Sequence, residues 1–517
     1  METFSQILSM PKRFTSFWHF LYIILFVSYV QASQLNLTIS SNPSRLNPVL
    51  ANDSASSEIA DHLFNGLFKY DKDGNIVVDL AESYSFENDT TLIIKLKKNV
   101  LWHDGHKFSA KDVLFTYQTI ISPKVFNSIS SSFAVVKDVI EVDEYTIKVI
   151  YKQPYYKALE IWMSGMLPYH ILKDEADMMT SSFNKNPIGT GPYKLGTFRA
   201  SSDIELIANE NYFEKKPNID KIYYKFVPDP NTSFLMLKQN SIDISGLTPM
   251  QISRQIDKTF YDKYQVITKE SFAYTYMGFN LKSAKFKDKN IRQALSLAID
   301  RQQLVDILFL GYGKVCNGPF LPNTFAYDES VTTPKLDRQK AKEILKSLGY
   351  DENNPFTFEV VTNSGNDIRV NAAEIIQYQL KQIGVDMKIR VLEWQAFLNT
   401  VVHPRNFDAV ILGWSMSLTP DASQIWHSNS DRVGGFNFVG YNNKQVDKLI
   451  DDSISMIDRE KLSKTYKEIF KLITDDIPYI FLYIPDSITV VSKNIKNIEP
   501  ALTGIWHNQL DWEKNRL

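Results

Sequence analysis

The chain has 517 residues, of which 44% are apolar and 22% charged, and its formal net charge is −2 at pH 7. At roughly 100–200 residues per domain this is too long for one core, so two or three units are expected. The near-neutral balance excludes a strongly basic binder of nucleic acid or anionic membrane, and the composition is that of a globular protein.

The first elements form a leader. Lys12 and Arg13 precede the apolar run "FWHFLYIILFVSYV" at residues 17–30, and "VQAS" then places Val30 and Ala32 as a small-residue cleavage site. A basic start, a short apolar segment and a cut site describe a secretory signal, residues 1–32, with the mature chain starting near Ser33. The run falls short of the roughly 20 residues of a membrane span. No cysteine stands at the cut site to carry a lipid, so a periplasmic location is expected rather than a lipid-anchored one. Cys316 is the single cysteine, which forbids an internal disulfide; it reads as a quiet, partly buried thiol.

The first part of the mature chain reads as strands and turns. "TLIIKLKK" sets Leu92, Ile94 and Leu96 opposite Lys95 and Lys97, and "YTIKVIYK" and "KIYYKFV" alternate in the same way. Each period-2 pattern implies one buried face. Ser109 with Asp112 three residues on reads as a capped helix start. From about Phe279 the period becomes helical, as in "NIRQALSLAID" and in "DRQKAKEILKSLGY", which stops at Gly349. The most regular segment follows. "FTFEVVTN" is a strand ending near Asn363, then comes a helix through Ile376 to a stop at Gly384. "VDMKIRVLEW" is a strand ending near Trp394, then a shorter helix leads to a third strand, "FDAVILGW". Strand–helix–strand–helix–strand with short connections implies a parallel sheet. Two amphipathic helices, at residues 446–457 and 462–473, and a last strand at residues 479–485 complete the chain.

Ligands of open α/β sheets bind beyond the carboxyl ends of the strands. The ends at Asn363, Trp394 and Trp414 therefore mark a site, to which Gly413, Trp414, Ser415, Met416 and Ser417 belong. Gly413 allows a close approach, Trp414 supplies an apolar wall, and the serines offer hydrogen bonds. Catalysis by Ser415 is the competing reading. It lacks the second glycine of a G-x-S-x-G elbow, and neither His403 nor His427 is marked as its base by spacing. "HDGH" at residues 103–106 lacks the partners of a zinc module and reads as a turn, as does "GTGPY" at residues 189–193. No cofactor and no resident metal are expected.

At these residues the chain resembles the extracellular solute-binding proteins of the peptide/nickel class, the periplasmic receptors of dipeptide and oligopeptide ABC importers. The strings that carry the resemblance are "GLFKYDKDGNIVVDLAESY", "LWHDGHKFSAKDVLFTY", "PIGTGPYKL", "NIRQALSLAIDRQQLV", "IGVDMKIRVLEW" and "GFNFVGYNNKQVDKLI", in family order over almost the whole mature chain. The resemblance implies an α/β, two-lobed periplasmic binding protein fold with mixed and parallel sheets, an extra N-terminal subdomain and a hinge of two crossings. Its expected parts are lobe I (33–71, 186–275 and 486–517), an inserted subdomain (72–185) and lobe II (276–485). It implies a non-catalytic, monomeric receptor that captures a small solute, in the first reading a peptide, and delivers it to an inner-membrane permease with its ATPase subunits. A nickel–chelate ligand, to which His427 or His103 would contribute, is the second reading within the family, and a secreted hydrolase using Ser415 is the alternative of another class.

The resemblance also exposes a departure. Dipeptide and oligopeptide receptors of this family place an aspartate after Gly-Trp to pair with the ligand amino group; here that position is Ser417, and the nearest acid is Asp421. An arginine expected after the earlier strand aligns with Asn363, and Arg369 lies six residues on. Either the ligand is not a free zwitterionic dipeptide, or Asp421 and Arg369 act from shifted positions. From the other lobe, "NDSASSE" would bring Asn52, Ser54 and Ser56 to face the site, its alternative being a Ser-rich surface turn. Tyr274 or Tyr276 would lie near the hinge, or in a plain core strand.

Overall fold

Alternating apolar residues bury one face of the early strands. Thr91–Leu96 buries Leu92, Ile94 and Leu96 and pairs antiparallel with Thr146–Tyr151; Ala81–Asn88 and Val136–Asp143 complete a four-stranded sheet. The helix Ala110–Ile121 lies against it, started by the Asp112 carboxylate, which accepts the Ser109 backbone N–H at 2.8 Å. A second sheet runs in the order Gln34–Ile39, Lys221–Phe226, Asp203–Ala208, Tyr193–Arg199. The structure, a computed structural model, describes residues 32–432 and 434–515, so all of the expected leader before Ala32 lies outside the described residues.

The "NDSASSE" stretch is not a turn. Asp53 accepts the Ser56 N–H at 3.0 Å and caps helix α1 (Ser54–Leu63), whose Ile59 and Leu63 enter the core. Both early sheets and α1 share one buried cluster, which includes Leu37, Ile59, Leu92, Trp162 and Tyr224. The turn "GTGPY" packs on the end of α1: a Cβ on Gly189 would meet the Leu63 carbonyl oxygen at 1.7 Å, so only glycine fits.

The larger sheet contains β1 (Tyr264–Glu270), β2 (Ala273–Phe279), β3 (Phe356–Asn363), β4 (Val385–Leu392), β5 (Ala409–Ser415) and β6 (Tyr479–Ser492). Strand β3 is parallel to both β4 and β5, as the strand–helix alternation requires. Helix α2 (Asp367–Lys381) makes the crossover, burying Ala372, Ile376 and Leu380, and the chain turns at Gly384 with φ +81°. Strand β2 runs antiparallel between β5 and β6, so the sheet is mixed. Two boundaries differ from expectation. Strand β4 stops at Leu392 because the Glu393 carboxylate accepts the Gln395 and Ala396 N–H groups at 2.8 and 3.1 Å and opens the short helix Trp394–Phe397. Strand β6 continues past Pro485 to Ser492.

The buried clusters divide the molecule into two lobes. Two of them draw only on residues 274–484, and the others only on residues up to 267 and from 488 onward. The chain crosses between the two groups at 271–272 and at 485–486, where β6 changes partner: it pairs with β2 as far as Tyr483 and with β1 from Asp486. The lobes also meet at a distance along the chain. Lys157 donates to Asp421 at 3.3 Å, the Tyr156 and Tyr466 hydroxyls lie 2.7 Å apart, and Gln424 donates to the Ser132 hydroxyl at 3.0 Å. Cys316 is fully buried, and burial pushes its thiol up to about 12, so it is inert as expected. Among the described residues no helix is long and apolar enough to cross a membrane.

Candidate ligand-binding cleft

A cavity of about 1960 Å³ lies between the lobes. Ligand pockets for drug-sized molecules run to roughly 300–1,000 Å³, so this one has room for a longer solute. Residues of α1 and its flanks line it on one side; Arg369, Trp394 and the end of β5 line it on the other.

The strand-end expectation places Gly413, Trp414 and Ser415 on this wall. Pairing between β3 and β5 ends at Val410, and among the described residues the backbone of 413–415 pairs only with Ala273, Tyr274 and Thr275 of β2. The opposite edge of that segment is therefore open to an extended chain. A Cβ on Gly413 would meet Arg369 Nη2 at 2.8 Å and the Tyr274 carbonyl oxygen at 3.0 Å, so the glycine makes room for the guanidinium. Trp414 lies over Tyr276 at 6.2 Å and 15°, and its Nε1 donates to the Tyr479 hydroxyl at 3.3 Å. Trp394, displaced from strand to helix start, still lines the cavity.

The two positions weighed for the arginine act together. Arg369 donates to Asn363 Oδ1 at 3.0 Å and reaches the cavity from the first turn of α2; Asn363 is buried behind it and does not line the cleft. The Arg369 Nε has no partner among the described residues, and burial lowers the guanidinium's affinity for the proton, which Tyr483 and Tyr276 partly restore. No carboxylate pairs with it among the described residues. Tyr274, 1% exposed, borders the same cavity, but its hydroxyl is buried in the core and, like that of Tyr276 behind it, has no hydrogen-bond partner among the described residues.

Other candidates lie elsewhere. Met416 and Ser417 border a separate pocket of about 390 Å³, where Ser417 donates to the Thr419 carbonyl at 2.6 Å. Asp421 lies outside the cleft. Lys157 and the Ser423 N–H and hydroxyl outweigh its burial and hold its carboxyl below the usual range, so its charge is spent at the lobe contact. Asn52 and Ser54 border the cleft, Asn52 accepting from the Ser128 hydroxyl at 3.0 Å. Ser56 does not: it is fully buried, donates to Asp53 Oδ2 at 2.7 Å and accepts the Ser44 N–H at 2.9 Å, which fixes the start of α1. The competing chemistries find little support in geometry. Ser415 ends a strand with no hydrogen bond to a histidine among the described residues. His103 is tied to the Gly189 N–H and the Gly191 carbonyl, both at 3.1 Å, and His427 lies outside the cavity. The "HDGH" turn does bring Asp104 and His106 to His170, with ligating atoms within 4.8 Å of one another, but on the surface, away from the cleft.

Sequence reasoning missed two carboxylates on this wall. Glu58 and Asp61 stand one turn apart on α1 and both line the cavity. Burial in the cleft wall raises Glu58 from 4.5 to about 7, against the Tyr224 hydroxyl that lowers it and with the Asp61 charge that adds to the rise. Asp61 opens to the cleft yet has protein on most sides, and it rises to about 6. The signal was Asp53 as a helix cap followed by Ile59, Ala60 and Leu63 at helical spacing.

The profile of the bacterial extracellular solute-binding proteins, family 5 Middle, matches residues 75–436. The chain belongs to that family. This family 5 protein is 33% identical over 485 residues to the oligopeptide-binding protein AppA of Bacillus subtilis, covering 90% of this chain and 89% of AppA. The structure of AppA from Bacillus subtilis in complex with a nonapeptide superposes with a TM-score of 0.88 at 31% identity, over 93% of this chain and 99% of that one. NikZ from Campylobacter jejuni in complex with Ni(L-His) superposes at 0.85 with 29% identity, over 94% and 100% of the two chains. The two-lobed architecture and the extracellular solute-binding class of this family 5 protein follow, and its relatives are receptors rather than enzymes.

Proposed function

We propose that this chain is the peptide receptor of an ABC importer, exported by its leader to the periplasm, and that it delivers an unaltered peptide to an inner-membrane permease and its ATPase. The observation that carries this reading is the roughly 1960 Å³ inter-lobe cleft with an open strand edge at Gly413–Ser415. An extended peptide adds to such an edge through its backbone, leaving side chains to fill the remaining volume. Similarity to AppA, whose solved complex holds a nonapeptide, supports a ligand longer than two residues. Arg369, pointed into the cleft without a counter-charge, suits the peptide carboxylate. The lobes would be 33–71 with 186–275 and 486–517, the insert 72–185, and 276–485, closing about the crossings at 271–272 and 485–486.

Native mass spectrometry of the purified protein tests this. Co-purified peptides of several residues are the expected result; a nickel–histidine complex, the reading that similarity to NikZ favours, or a hydrolysed product would overturn it.

A further inference from the structure

Six carboxylates line the cleft: Asp53, Glu58, Asp61, Asp71, Asp79 and Glu214. Four are already engaged. Asp53 caps α1, Asp71 holds its own turn through the Asp73 and Asn75 N–H groups, and Asp79 and Glu214 share Lys69. Glu58, which meets the Tyr224 hydroxyl, and Asp61 remain, with no cation beside either among the described residues. The acid that the family resemblance places after Gly-Trp is Ser417 here, directed to the smaller pocket, and Asp421 is consumed by Lys157.

Resting on the peptide reading of the cleft, we propose that Glu58 and Asp61 form the subsite for the α-ammonium group of the bound peptide, on the lobe opposite Arg369. Two carboxylates one helical turn apart repel, and partial burial makes the Glu58 charge costlier; a cation from the ligand relieves both effects. An ammonium group carries three donors and can bridge the pair. The adjacent His62 takes no part, because its ring nitrogens are bonded to Gln509 at 2.8 Å and Tyr224 at 2.9 Å. Without an imidazole, the pair offers only carboxylate oxygens, which disfavours a transition metal there. A peptide held this way has fixed polarity, amino end on α1 and carboxyl end toward Arg369.

The test is calorimetric titration of the full chain with a lysine-free nonapeptide of Gly, Ser and Ala, in free, N-acetylated and C-amidated forms. The free peptide has a single amine, so lysine side chains cannot supply the effect. N-acetylation is expected to weaken binding about 10- to 100-fold, the range for a hydrogen bond to a charged group. The Glu58→Gln/Asp61→Asn variant, its fold checked by thermal unfolding, should bind the free peptide more weakly by a similar factor. In that variant acetylation should cost nothing further while amidation still does. Equal affinity of wild type for the free and acetylated peptides overturns the subsite and leaves the receptor reading standing, as does a full acetylation penalty in the variant. Failure to bind any of the three forms overturns the peptide reading itself and this subsite with it.

Discussion

Arg369, in the first turn of α2 after β3, and Asp421, in the loop after β5, were both weighed as charged anchors, yet the fold treats them in opposite ways. Arg369 enters the cleft with only a neutral amide to hold it, whereas Asp421 is matched to Lys157 where the lobes touch. The difference teaches that a charge is available to a ligand only when the protein has not already supplied its counter-ion. Asp421→Ala breaks the comparison most severely. It would leave Lys157, with a side chain 8% exposed, near only Glu160 at 3.9 Å, and stability should fall by about 3 kcal/mol. Denaturant unfolding measures this, and Lys157→Met added to Asp421→Ala should recover part of the loss.

Arg369→Ala strikes the other side. It should weaken nonapeptide binding about 10- to 100-fold without a comparable loss of stability, as calorimetry and unfolding of the same samples would show. A smaller effect concerns the carboxylates of α1. Glu58 binds its proton more tightly folded than unfolded, so its contribution to stability is complete below pH 4.5 and lost as pH rises through about 7. Its neighbours are Tyr224, Asp61 and the neutral His62, which burial pushes down to about 4, so no cation opposes the trend. The ligand-free protein should melt about 2 °C higher at pH 5 than at pH 8 from this group, and Glu58→Gln should flatten that part of the profile. The smallest effect sharpens the comparison. Ser417→Asp restores an acid at the position the resemblance singles out, but toward the pocket of about 390 Å³, so peptide affinity should change less than about twofold.

The parallel unit of the second lobe was legible because its period changes are sharp and its connections short: Asn363 ends β3, and the Gly413-Trp414 pair reaches the cleft. The end of β4 was misplaced because a glutamate before Trp394 starts a helix as readily as it ends a strand. Strand β6 was cut short because Pro485 reads as a terminator, although its missing N–H falls beside the short edge strand Gly313–Val315. In α1, Asn, Asp and Ser imitate a loop, and the acids that make the cleft wall resemble an ordinary solvated face. The fate of Asp421 was out of reach, since its partner lies 264 residues away.

Strand β6 has one more consequence. Over its 14 residues it is stitched first to one lobe and then to the other, with an edge strand beside residues 484 and 485 and Ser271 donating its N–H and hydroxyl to the Pro485 carbonyl at the crossing. The two bodies therefore share an axle. Sliding past one another would tear the ladder on one side, whereas a twist concentrated at the proline leaves both ladders whole. Entry and discharge of cargo are thereby confined to torsion about a built-in pivot.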